Sequence, residues 1–170
     1  IRFALPRLPV TNATQRRPAI VLDHAWIAAH IPHQGSMCLL DAVLDWSETA
    51  ISCTAFSHTD SSNPLRAEGR LGAANGIEYA AQAMAIHGAL LAGTDDQPRQ
   101  GYLTSVRGVT LHVPRLDDLA GELLVEAERQ SGDANNILYQ FSLSHAGRCL
   151  LEGRAAVVLD ASAIRKETPA

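Results

Sequence analysis

No apolar run in these 170 residues approaches the roughly 20 that a membrane-spanning helix needs, and no basic-then-apolar leader opens the chain. Lysine is almost missing: of 14 basic residues, all but Lys166 are arginine. Charged residues reach only 19% and the formal net charge is −4, a balance that offers nothing to nucleic acid. Cysteine is confined to Cys38, Cys53 and Cys149, an odd number without CxxC spacing, so neither a disulfide framework nor a zinc site is visible. Cys38 and Cys149 sit among apolar neighbours and read as buried, reduced thiols. There is no GxSxG elbow, no P-loop, no GxGxxG after a strand and no HExxH. Internal repeats, low-complexity blocks and a second domain are missing as well. What is present is 46% hydrophobic residues, ordinary for a folded domain and incompatible with a disordered chain, a collagen-like fibre or a coiled coil. The expectation is one soluble, cytoplasmic domain with no cofactor, no metal, and neither nucleic acid nor membrane as partner.

Residues 1–19 hold three prolines and no periodicity and read as an extended arm; residues 161–170 read as a tail, and 20–160 as the domain. Asp23 is an N-cap candidate for a short helix ending near His30, where Pro32 and Gly35 break the chain. Strands are expected over 37–46 and 49–56, then a polar loop over 57–72. Ala73 to Ala92 is the clearest helix, with eight alanines, Gly76 and Gly88, and Gly93 placed to terminate it. So little charge predicts burial nearly all round, and such small side chains let another backbone approach closely. A polar turn over 95–100 follows. The period then changes to two, predicting strands over 101–113, about 122–128, 137–144 and 148–159, connected as an antiparallel meander. Leu103, Val109, Leu111 and Val113 fall on one face of the first of these. The fold class is α+β, a long central helix wrapped by a curved antiparallel sheet.

Asn75, Glu78 and Gln82 fall on one face of the helix, but the next positions are Ala85, Ile86 and Ala89. A solvated face would stay polar throughout. Glu78 is therefore either a structural carboxylate bonded to backbone or a general acid or base tuned by partial burial. His87 lies nine residues after Glu78, about 900° and half a turn away, so it reads as a core or interface histidine. His33, on a loop just before a strand, and His58, in the polar loop before the helix, are the candidate partners of Glu78. His24, His30, His112 and His145 show no ligand spacing and read as surface or packing residues. Gly72 and Gly76 lie near the helix start, where a substrate carbonyl can approach free backbone N–H groups. With Gln82 they belong to the candidate substrate-binding set, which the resemblance below extends to Ala73.

Ile31-Pro32-His33-Gln34-Gly35-Ser36-Met37-Cys38-Leu39-Leu40-Asp41 resembles the opening of the 3-hydroxyacyl-[acyl carrier protein] dehydratases, and Gly76-Ile77-Glu78-Tyr79-Ala80-Ala81-Gln82-Ala83 resembles the E-A-M-A-Q segment of their central helix. Asn63-Pro64-Leu65 and Glu68-Gly69-Arg70-Leu71 are similar to segments of the divergent branch found with aryl polyene and related fatty-acid-like gene clusters. The resemblance spans about residues 25 to 160 and implies the hotdog fold. It implies further that Glu78 takes the place of a helix carboxylate that works with a histidine across a dimer interface. In that chemistry the histidine removes the α-proton of an acyl thioester, the carboxylate helps the 3-hydroxyl leave as water, and backbone N–H groups near Ala73 polarise the carbonyl. The implied partners are an acyl carrier protein thioester and a second hotdog chain, identical or different, with Arg66, Arg70 and Arg107 as candidates to meet the acidic carrier. One departure matters. The family has H-x-x-x-x-P with its proline nearer the carboxylate, whereas Pro64 is 14 residues before Glu78 and the residue five before Pro64 is Thr59, with His58 one position out. Either His33 or His58 substitutes, or the chain is a non-catalytic acyl-binding subunit that keeps the tunnel for a paired chain. A thioesterase in which Glu78 activates water is the third possibility.

Overall fold

The computed structural model describes residues 22–93, 101–133 and 135–158. The expected arm, the expected tail and the polar turn over 95–100 lie outside the described residues. In chain order the elements are β1 (Leu22–Asp23), α1 (His24–His30), β2 (Ala42–Trp46), β3 (Ala50–Ala55), α2 (Gly76–Ala92), β4 (Tyr102–Leu111), β5 (Leu123–Gly132), β6 (Asn136–His145) and β7 (Arg148–Val158). Among the described residues no helix is long and apolar enough to cross a membrane.

Helix α1 starts where its cap dictates: the Asp23 carboxylate accepts the Trp26 N–H at 2.9 Å. Helix α2 is entered through a 3₁₀ turn, Ala73–Asn75, and stops at Gly93, whose φ of 72° suits glycine. As its composition foretells, α2 is buried or half-buried at every residue except Leu91. Gly76 shows why a small residue is needed. A Cβ there would stand 2.2 Å from Leu151 Cδ2 and 3.0 Å from Leu143 Cδ2, so the helix start rests directly on the sheet.

The seven strands form one antiparallel sheet in the order β1-β2-β3-β5-β6-β7-β4. Leu123, Val125, Ala127, Phe141, Leu143 and Leu151 turn inward onto α2 and, with Leu39, Leu40, Ile86 and Tyr139, make the core. This is the α+β arrangement expected, a long helix wrapped by a curved sheet. Three local readings are corrected. The strand expected from residue 37 begins at Ala42, because residues 35–37 close a 3₁₀ turn and Gln82 holds the backbone on either side of Cys38. The meander is limited to β5-β6-β7, and β4 lies on the far edge against β7. The segment 112–122 cannot be a hairpin turn, because it is tied to the approach to α2. Ala73 N–H donates to Pro114 O, Leu116 N–H to Leu71 O, and Leu71 N–H to the Asp117 carboxylate, with Leu116 fully buried. Finally, register shifts at Leu103/Ser105 and Arg107/Thr110 break the regular alternation of β4. Leu103, Val109 and Leu111 are left more than a third exposed while Val106 and Val113 pack on the core.

Candidate functional site

Glu78 sits in the first turn of α2, where the helix dipole favours a carboxylate. Facing it is the loop after α1, which carries His33. His33 Nε2 lies 3.1 Å from Glu78 Oε1, with the two side chains 26% and 32% exposed. Gln82, one turn on and fully buried, explains how residues 45 apart in sequence are brought together. Its amide donates to Glu78 Oε1 (3.1 Å) and to Met37 O (2.7 Å), and its carbonyl oxygen accepts the Leu39 N–H (2.9 Å). One side chain thus orients the carboxylate and fastens the segment that follows His33. Gln34 secures the other end of that loop by donating to Ala28 O and Ile31 O.

The hydrogen bond from His33 holds the Glu78 carboxyl below the usual carboxylate range; burial opposes this and the Gln82 amide reinforces it. Glu78 is therefore ionised at neutral pH, and the nitrogen facing it, His33 Nε2, carries the proton. His33 Nδ1 is shielded and has no partner among the described residues, an unused lone pair in this tautomer.

The pair stands at the side of a groove of about 560 Å³. Its floor is one stripe of α2, Glu78, Ala81, Ala85 and Ala89 with Met84 beside them; its walls are residues 29–33, the start of β4 (Gly101, Tyr102, Leu103) and Val157. The alanines that end the polar line in the sequence are thus the continuation of the site rather than its limit. Their spacing of three, four and four from Glu78 was a readable signal, as a strip of the smallest side chains running away from a carboxylate. A proton-holding pair beside a narrow apolar trough suits a substrate with a long apolar portion and a reactive polar end. A depression of about 340 Å³ on the opposite side of the sheet, between Trp46, Glu126 and Glu128, contains no histidine and no base paired to an acid.

His58 is not brought to the groove. It is fully buried, its Nε2 donates to Leu119 O at 3.0 Å, its Nδ1 has no partner among the described residues, and burial pushes its pKa down. Nor are Gly72, Ala73 and Gly76 presented there. Gly72 bridges to Arg115, the Ala73 N–H is engaged by Pro114 O at 3.1 Å, and Gly76 faces Leu151. His87 is the core histidine expected, bonded to Tyr139 Oη at 2.9 Å and Ser47 O at 2.8 Å. Arg66 bonds His58 O and Gly69 O and lies 3.6 Å from Asp117, while Arg70 and Arg107 are exposed. Among the described residues no third histidine, cysteine or carboxylate joins His33 and Glu78 closely enough to complete a metal site.

Comparison with known proteins agrees with this architecture. Among solved structures, the dehydratase heterocomplex ApeI:P from Xenorhabdus doucetiae superposes with a TM-score of 0.70 at 20% identity, over 84% of this chain and 97% of that one. Thioesterase superfamily member 2 from zebrafish gives 0.57 at 13% identity, over 81% and 95%. The thioesterase HI1161 from Haemophilus influenzae gives 0.52 at 13%, over 69% and 76%. These likenesses place the chain in the hotdog fold. No curated protein matches the sequence. The family model for the ApeP dehydratases matches residues 25–165, so the chain, a dehydratase-like hotdog protein, belongs to the ApeP-like family.

Proposed function

We propose that this protein binds a 3-hydroxyacyl chain carried on an acyl carrier protein and dehydrates it to the trans-2-enoyl thioester, with His33 and Glu78 as the catalytic residues. The observation that carries the reading is the 3.1 Å contact between His33 and Glu78 beside the apolar groove, within a member of a dehydratase family. An ionised Glu78 has no proton to give at rest. The proton that leaves with the hydroxyl is therefore replaced by the one taken from C2. The Glu78 carboxylate, held by the His33 Nε2–H, accepts the C2 proton and delivers it to the departing 3-hydroxyl oxygen, because His33 Nδ1 is shielded. The C2–H and C3–O bonds break, C2=C3 forms, and water leaves. Both residues line the groove side by side, so a proton taken at C2 is returned at the adjacent carbon.

The second chain belongs to the same reading. Strand β4 is an edge strand with Leu103, Val109 and Leu111 exposed, and its start forms one lip of the groove. An edge of that kind is covered in a stable assembly. The likeness to a heterocomplex favours a second, different hotdog chain as its cover. Arg107 stands directly opposite Arg154 on the exposed β4–β7 ladder, and a like-charged pair there suits an acidic carrier.

The test is mass spectrometry of a 3-hydroxyacyl carrier protein incubated with this chain alone, and beside it Glu78→Gln and His33→Ala. Loss of one water by the wild type, slowed by about 10²- to 10⁴-fold in either variant, is the expected result. Carrier binding without loss of water would replace the enzyme with a partner-dependent subunit. Release of free acid would make it a thioesterase.

A further inference from the structure

A second chemical cluster lies at the other end of β4, ten residues and about 30 Å of extended strand from the Tyr102 lip of the groove. It owes its existence to a bulge in β7. Ser144 pairs with Cys149 and Leu143 with Leu151, so Leu150 is an extra residue in the ladder. Strict alternation would send positions 149 and 152 to opposite faces of the sheet. The bulge instead turns both Leu150 and Leu151 into the core and leaves Cys149 and Glu152 side by side. Across the ladder, Thr110 pairs with Glu152 and Leu111 with Leu151, and His112 continues the strand by donating its N–H to Leu150 O at 2.8 Å. His112 Nε2 then reaches Glu152 Oε1 at 3.0 Å, and Cys149 Sγ lies against Leu151 O at 3.5 Å. One ligand atom from each of His112, Cys149 and Glu152 falls within 4.8 Å of the other two.

Those atoms suit one class of ion. A tetrahedral zinc with bonds of about 2.0–2.3 Å holds its ligand atoms roughly 3.3–3.8 Å apart, so a contraction of about 1 Å by side-chain rotation closes the set. Imidazole, thiolate and carboxylate together select zinc over magnesium or calcium, which take oxygen ligands alone. The thiolate and carboxylate balance the charge of the ion. Cys149 is also the one half-exposed thiol, since Cys38 and Cys53 are buried. We infer that His112, Cys149 and Glu152 form a zinc-class divalent cation site with an open fourth position, which clips the end of β4 to β7. On binding, the bond from His112 to Glu152 opens and both side chains turn to the metal.

The test uses untagged full-length protein, stripped with a chelator and titrated with Zn²⁺ by calorimetry and with Co²⁺ by absorbance. One zinc per chain is expected, with a thiolate-to-cobalt charge-transfer band. Cys149→Ser abolishes that band, and Cys149→Ser or His112→Gln each weakens zinc binding by more than the about tenfold that even an outer partner of a metal site costs. His33→Ala and Glu78→Gln leave binding unchanged, which separates this site from the groove. In wild-type protein, where no variant has to fold, zinc shields Cys149 from alkylation. The inference is overturned if micromolar zinc does not bind, if Cys149→Ser binds as well as wild type, if alkylation of Cys149 is indifferent to zinc, or if binding is lost with His33.

Discussion

Glu78 and Tyr79 are neighbours on the first turn of α2 and have opposite surroundings. The Tyr79 hydroxyl is fully enclosed, meeting Ser57 Oγ at 2.9 Å and Asn63 Nδ2 at 3.0 Å. Those groups are bound in turn, Ser57 Oγ to Leu39 O and Asn63 Nδ2 to Ser57 O. Nearly every valence in that cluster is spent on the protein. Glu78 is also held by two donors, His33 and Gln82, yet it remains a third exposed and opens on the groove. The two histidines divide the same way. His33 faces a carboxylate at the groove, and His58 is sealed beside Tyr79's cluster with a backbone carbonyl for partner. A rotation of 100° along one helix therefore separates a bracket that fastens loop 57–63 to the core from a pair able to move a proton. Access, rather than residue type, distinguishes them.

The largest effect should come from reversing that assignment at the histidines. His33→Ala is expected to reduce dehydration by about 10²- to 10⁴-fold while the melting temperature stays within a few degrees of wild type. His58→Ala should do the converse, costing about 2–4 kcal/mol of stability for the bond and volume lost from a sealed site, with kcat/KM of the folded fraction kept. Steady-state kinetics and thermal denaturation on the two variants are sufficient. If His58→Ala removes turnover without unfolding, the sealed cluster has a catalytic part and the comparison fails.

Acid should separate the two regions next. Burial lowers the pKa of both His58 and His87, so each is neutral in the folded chain at a pH where the unfolded chain has begun to take up a proton. The unfolded state then binds more protons, and stability is lost as pH falls below about 6.5, the ordinary histidine value. Glu78 acts in the opposite range. Its pKa is depressed, so its contribution is complete above the ordinary carboxylate value of about 4.5 and is lost only as pH falls further. Denaturant melts between pH 7.5 and 5 should show a slope that shrinks in His58→Asn and is untouched by Glu78→Gln.

How much of this was legible in the sequence follows the range of each interaction. Helix α2, its end at Gly93, the Asp23 cap and the two-residue period of β5, β6 and β7 are local, and each was readable. The position of β4 was not. A strand's period says that it pairs and leaves its partner open, and the tie between 114–117 and 71–73 that carries the chain across the fold is made by backbone groups that any sequence possesses. Glu78, Gln82 and His33 were all visible as candidates, but the contact between them depends on the Gln82 bonds to Met37 O and Leu39 N–H, which have no signature in spacing. The cluster of His112, Cys149 and Glu152 was the least visible. It needs an unpaired Leu150 to bring two residues of one strand to the same face, and a bulge cannot be counted from the pattern of a single strand.

The smallest effect, and the finest test of the comparison, is Tyr79→Phe. Removing the hydroxyl takes one acceptor and donor out of the sealed cluster and leaves most of the others bound: one N–H of Asn63 Nδ2 still donates to Ser57 O, and Ser57 Oγ still donates to Leu39 O. The second N–H of Asn63 Nδ2, which Tyr79 Oη accepted, is left buried without a partner, so the cost should be about 1–3 kcal/mol. Dehydration should not change, since Tyr79 points into the core and Glu78 alone of the two reaches the groove. Denaturant midpoints and kcat/KM measured on the same preparation decide it. A fall in turnover at preserved stability would mean that the bracket sets the position of the neighbouring carboxylate. The sealed side of that helical turn would then act as the support of the open one, and the 100° between Glu78 and Tyr79 would join two parts of one device.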